Sequence, residues 1–171
     1  TASGLVAGIN AAHYARDEEL LVLGREQAYT GVMLDDLVTK EIAEPYRMLT
    51  GRAEYRLLLR QDNADLRLAG LGYEVGLLPR EAYEAVQARR RAVEAELARL
   101  AATWLRAGDD GINERLRSRG LPELAEGANA LQFLRRPEVD YDLVAAMAPP
   151  PGPLPPGAAE QVEIEAKYAG Y

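Results

Sequence analysis

Arg47, Arg52, Arg56 and Arg60 recur at intervals of four or five residues, with Tyr46 and Tyr55 set between them. Guanidinium groups fork onto phosphate oxygens and tyrosine rings stack on unpaired bases, so the pattern can hold RNA. Glu44, Glu54, Asp62 and Asp65 occupy the same stretch and largely cancel its charge. A web of internal ion pairs holding an irregular segment accounts for these residues equally well. The second candidate is the small, apolar opening SGLVAGINAAHY, Ser3 to Tyr14. A helix beginning in small residues offers free N–H groups and a positive dipole end to an anionic or carbonyl-bearing ring. On pattern alone, close backbone packing outweighs ligand binding there.

Other chemistry is sparse. The carboxylates of Asp35-Asp36 and of Asp62 to Asp65 lack metal-loop spacing, and capping or ion pairing explains them better than catalysis. His13 lies on an apolar helix and reads as a packed or partly exposed histidine. With no cysteine there is no disulfide framework, thiolate nucleophile or cysteine zinc site. Twenty basic residues against 27 acidic ones give a net charge of −7, so any RNA contact must be local. The Arg89-Arg90-Arg91 run, near Glu81, Glu84, Glu94 and Glu96, reads as a solvated, self-paired helix face.

The elements that must position these groups are mainly helical. Leu5, Ile9 and Ala12 predict a helix over Ser3–Tyr14, and a second runs from Gln27 to Val38 with Gly31 weakening it. After Pro45, alternation of Tyr55, Leu57 and Leu59 with Arg56, Leu58 and Arg60 predicts a short extended segment over Tyr55–Leu59. Asp62 or Asn63 caps a helix to about Tyr73, which Gly76 closes. A heptad-like seam of Tyr83, Val86, Arg90, Val93, Leu97, Leu100 and Trp104 predicts one long helix from Pro79 to about Arg106. Shorter helices follow over Ile112–Arg119, Asn129–Arg135 and Tyr141–Met147. The PPPGPLPPG stretch to Gly157 is a stiff connector, and helical spacing resumes through Val162, Ile164 and Tyr168. No apolar run approaches the roughly 20 residues of a membrane span. A cytoplasmic protein is expected, and a first residue other than Met suggests a piece of a longer chain.

The run EPYRMLTGRAEYRLLLRQDNADLRL, Glu44 to Leu68, closely resembles a signature of the GidA/MnmG family of tRNA wobble-uridine modification flavoproteins. GLVAGINAA, QAYTGVMLDDLV, GYEVGLL and EQVEIEAKYAGY agree in the same order. The chain departs from the family pattern at Ser3, where Gln is usual, at Leu49, where an aromatic is commoner, and at Gly51, where Ser is usual.

The resemblance implies the carboxy-terminal portion of such an enzyme. Residues 1–43 would close an FAD-binding α/β domain, 44–148 would form a helical domain, 149–157 the connector, and 158–171 the start of a terminal helical subdomain. The intact protein would use FAD and NADH, form a homodimer, and act with an MnmE-like GTPase on carbon 5 of the tRNA wobble uridine. Ser3 and Gly4 would approach the flavin, while Arg47, Arg52, Tyr55, Arg56 and Arg60 would face tRNA; none is expected to be catalytic. No G-x-G-x-x-G fingerprint occurs, so the isolated piece is expected to be inactive. The alternative is a non-catalytic helical adaptor for RNA and protein. A folate- and FAD-dependent tRNA methyltransferase ranks lower, because that class lacks the helical carboxy-terminal region.

Overall fold

In the computed structural model, which describes residues 2–170, the sequence's hydrophobic spacing resolves into eight α-helices, a 3₁₀ turn and one two-stranded sheet among the described residues. Contacts divide the chain into two compact units, one ending at Tyr83 and the other beginning at Glu84.

The first unit opens with α1, Ala2–Ala15, which buries only Val6. Asp17 ends it at a φ of 59°, a left-handed conformation that a short polar side chain tolerates. The N–H groups of Asp17 and Glu18 then return to the carbonyls of Tyr14 and His13, satisfying the last turn. The Asn10 side chain pairs with both backbone groups of Leu21 at 2.9 and 2.7 Å, fastening the following segment to the helix.

Helix α2, Tyr29–Thr39, contains Gly31 for a packing reason. A Cβ there would collide with the backbone of Leu23 and Gly24, so glycine permits the crossing despite its cost in helix propensity. Beyond α2 the chain is irregular through the 3₁₀ turn Thr50–Arg52. The strand expected over Tyr55–Leu59 is instead a turn: the N–H groups of Leu58 and Leu59 both donate to the Tyr55 carbonyl. Of its apolar side chains only Leu59 is buried, beside Val32 and Ala53, so the alternation marks no sheet face. Helix α3, Ala64–Glu74, ends at Gly76, whose φ of 75° suits the left-handed C-terminal turn. The rings of Tyr73 and Tyr83 stack beyond it at 4.7 Å.

The long helix α4, Arg80–Ala102, leads into the second unit. It stops short of the expected Arg106 because the Asn129 side chain donates to the Ala101 carbonyl at 2.6 Å and the Ala130 N–H takes the Thr103 carbonyl. Trp104 therefore leaves the expected helical seam and joins β1, Trp104–Leu105, with its side chain largely exposed. β1 pairs antiparallel with β2, Ala128–Asn129, in the register Trp104↔Asn129.

Three short helices follow clear caps: α5 (Asp110–Ser118) behind Asp109, α6 (Ala130–Leu134) behind Asn129, and α7 (Tyr141–Met147) behind Asp140. Each capping side chain accepts a backbone N–H of the first turn. The proline-rich stretch contains no helix or strand and yields to α8, Ala158–Tyr168. Leu100, Leu116, Leu134, Val144 and Val162 bring α4 to α8 into one fully buried core. Within it Glu96 accepts Tyr141 Oη at 2.8 Å and two Arg99 nitrogens at 2.6 and 2.7 Å. Burial pushes the Glu96 carboxyl up, but these donors outweigh it and hold the group below its ordinary range.

Candidate nucleic-acid interface

The polar centre of the first unit is Asp36, whose side chain is 0% exposed. Helix α2 carries it inward, and a buried carboxylate requires donors. Lys40 Nζ lies 2.6 Å and Arg25 Nη1 2.7 Å from its Oδ1, while Tyr46 Oη donates to Oδ2 at 3.0 Å. Lys40, then Arg25 and Tyr46, hold the acid far below the usual carboxylate range against the opposing effect of burial. Burial, reinforced by Asp36, pushes the Tyr46 hydroxyl up.

Arg25 uses the rest of its guanidinium on the arginine-bearing segment. Its Nε and Nη2 grip the two carboxylate oxygens of Glu54 at 3.1 and 2.8 Å, and Nη2 also donates to the Arg52 carbonyl at 3.0 Å. Nη1 additionally reaches Asp35 at 2.8 Å. Glu54 and then Asp36 keep Arg25 protonated well above its ordinary range, and Arg25 in turn lowers Glu54.

Arg52 sits at the edge of this node, 5.3 Å over the Tyr46 ring centroid and 3.9 Å from Asp36, so its charge is loosely held. Arg47 and Arg56 are exposed and meet no acidic side chain among the described residues. Tyr55 is half exposed beside Arg56. Arg60 differs: its Nε lies 3.1 Å from Asp62 Oδ1, Nη1 donates to the Leu57 carbonyl, and only 13% of the side chain is exposed. Arg67, which the sequence did not single out, donates to the carbonyls of Arg60 and Gln27, and burial lowers its pKa. Arg60 is thus engaged in an internal ion pair, whereas Arg47 and Arg56 stand exposed and Arg52 is loosely held.

Arg25 was also missed by sequence reasoning. No spacing relates it to Asp36 or Glu54; the pairing exists only because Gly31 lets the backbone of Leu23 and Gly24 cross α2.

Ser3 and Gly4 are exposed in the first turn of α1. Outside the helix's own backbone and the adjoining residues, no atom stands within 4 Å of the position a Gly4 or Gly8 Cβ would take, and the two glycines border a hollow of about 280 Å³. That open backbone fits the approach of a flat ring. Next to it, Leu5, Ile9, Leu23, Leu68 and Val75 line a second, apolar hollow of about 180 Å³. His13 Nδ1 is engaged with the Glu19 carbonyl at 2.7 Å. Among the described residues no cluster of His, Cys, Asp or Glu could hold a metal, and no helix is long and apolar enough to cross a membrane.

A mainly helical protein with a buried ion-pair node beside an arginine-bearing segment is the class these features define. Residues 80–171 match the family model of the tRNA modifying enzyme MnmG/GidA C-terminal helical domain. The chain belongs to the MnmG/GidA family, of which it represents the carboxy-terminal portion. It is 48% identical over 168 residues to the tRNA uridine 5-carboxymethylaminomethyl modification enzyme MnmG of Bacillus subtilis, and 51% identical to that of Listeria welshimeri. These alignments cover 98% of this chain and 27% of each relative, so the chain spans about a quarter of their length. Aquifex aeolicus GidA in its form II crystal superposes with a TM-score of 0.82 at 37% identity, over 99% of this chain and 26% of that one.

Proposed function

We propose that this chain is the carboxy-terminal part of a cytoplasmic, homodimeric flavoenzyme that modifies carbon 5 of the tRNA wobble uridine with an MnmE-like GTPase. Its role is to hold tRNA and the partner. The observation that carries this reading is that Arg47 and Arg56 are exposed and meet no acidic side chain among the described residues, while Arg52 is only loosely held. Guanidinium groups not already committed to carboxylates are the ones available to phosphate oxygens, and Tyr55 offers a ring to an unpaired base. Arg60 serves the same segment by fixing its turn through Asp62 and Leu57.

On this reading residues 1–43 close the FAD-binding domain and residues 44–148 belong to the helical region, whose core α8 also joins after the 149–157 connector. Ser3 and Gly4 present backbone N–H groups to the flavin ring, whose fit is supported by the space beside Gly4. When bound, the flavin supplies the redox chemistry, with NADH as the source of reducing equivalents. The isolated piece is inactive because it has no glycine-rich phosphate cradle.

The test is tRNA binding and modification by the full-length protein carrying Arg52→Ala or Arg56→Ala. Each variant should fold normally and lose affinity and modification. Wild-type values for both would refute the assignment.

A further inference from the structure

Resting on the reading of the arginine-bearing segment as an RNA contact, we infer that Arg25 is the positioning residue that sets how this segment is presented. The segment from Tyr46 to Glu54 is tied at both ends to one ion pair. At its start, Tyr46 Oη donates to Asp36; at its finish, the Arg52 carbonyl and the Glu54 carboxylate accept from Arg25. Ala53, between those two anchors, is buried, so the backbone that carries Arg52 has little room to shift. Arg25 is in turn held by Asp36, which is fully buried and cannot move toward solvent.

The chemistry requires arginine. The guanidinium has five N–H donors in a fixed plane, and every nitrogen is engaged: Nε with Glu54, Nη1 with Asp35 and Asp36, Nη2 with Glu54 and the Arg52 carbonyl. A lysine could keep the charge beside Asp36 but could not span Asp36 and Glu54 together. Arg25 has a second effect. It occupies both oxygens of the Glu54 carboxylate, neutralising the acid nearest in sequence to Arg52. Arg25 itself never needs to meet RNA.

The experiment measures binding of a labelled anticodon stem-loop RNA to the full-length protein, together with backbone hydrogen exchange. Arg25→Lys should weaken binding on the order of tenfold, the scale of a lost charge-assisted contact. Exchange should rise across residues 46–54. Adding Arg52→Ala to Arg25→Lys should cost little more, because the first change already misplaces that group. Asn10→Ala, which loosens α1 elsewhere, should lower stability and leave affinity unchanged. Wild-type binding by Arg25→Lys, full additivity with Arg52→Ala, or an equal loss in Asn10→Ala would each overturn the inference. If Arg52→Ala and Arg56→Ala both bind normally, the RNA reading fails; if Arg52→Ala binds weakly while Arg25→Lys binds normally, only the positioning role fails. Should Arg25→Lys not fold, the largely exposed Glu54→Gln must raise exchange over 46–54, and its failure to do so overturns the inference.

Discussion

The carboxylate of Asp36 and the guanidinium of Arg25 meet at 2.7 Å with the acid fully withdrawn from water. The pair ties helix α2 to two otherwise irregular segments, one before it and one after it. A buried charge of this kind is tolerated only while its donors remain, which makes the first unit dependent on polar contacts rather than on a large apolar core.

That dependence gives the first unit an acid limit. The folded-state pKa of Asp36 is depressed below the ordinary 3.8, so at low pH the unfolded chain binds more protons than the folded one. Its stabilisation is fully present above about 3.8 and is lost as pH falls through the depressed value. Urea denaturation between pH 5 and pH 2 should show wild type losing stability more steeply than Asp36→Asn. Parallel pH profiles would count against the pairing.

Two glycines should behave oppositely. Gly31→Ala drives a methyl into the backbone of Leu23 and Gly24 and should destabilise by about 1–3 kcal/mol, as other overpacking does. Gly8→Ala meets open space in mid-helix and should stabilise α1 by about 0.5–1 kcal/mol. Thermal melts of both variants check the contrast. Flavin absorbance of full-length Gly4→Ala tests the proposed ring approach, with reduced occupancy expected.

In the second unit, Leu134→Ala should cost about 2–5 kcal/mol, the range for truncating a fully buried leucine. Tyr141→Phe removes one donor to the buried Glu96 and should cost about 1–3 kcal/mol. Chemical denaturation would measure both. A negligible change for Leu134→Ala would contradict the core placement.

The two units should also differ when separated. A core running from Val93 to Ala166 supports residues 80–171 as an independently folding piece, whereas among the described residues of the first unit the buried apolar cluster is Val32, Ala53 and Leu59. Residues 80–171 should melt cooperatively by circular dichroism, and residues 1–83 should not. The reverse result would exclude this account of the cores.

Helices with strong caps or clear spacing were legible in the sequence, as at Tyr141–Met147. The long helix was legible except at its end, where Asn129, far along the chain, takes the Ala101 carbonyl. Alternation over Tyr55–Leu59 misled because no neighbouring strand pairs with it and its N–H groups turn back locally. The family resemblance was carried by the arginine signature itself. Which arginines are spent internally was not legible: Arg60 and Arg52 share a pattern, yet Asp62 engages one closely and Asp36 only grazes the other. Arg25 was invisible for the same reason, since its partners come together only by chain reversal.

The salt dependence of tRNA binding tests the central claim most directly. Each phosphate contact contributes about 0.7–0.9 to the slope of log affinity against log salt. Full-length protein carrying Arg47→Ala, Arg52→Ala and Arg56→Ala together should bind more weakly and with a slope shallower by about two units than wild type. An unchanged slope and affinity would show that these side chains do not touch the RNA backbone.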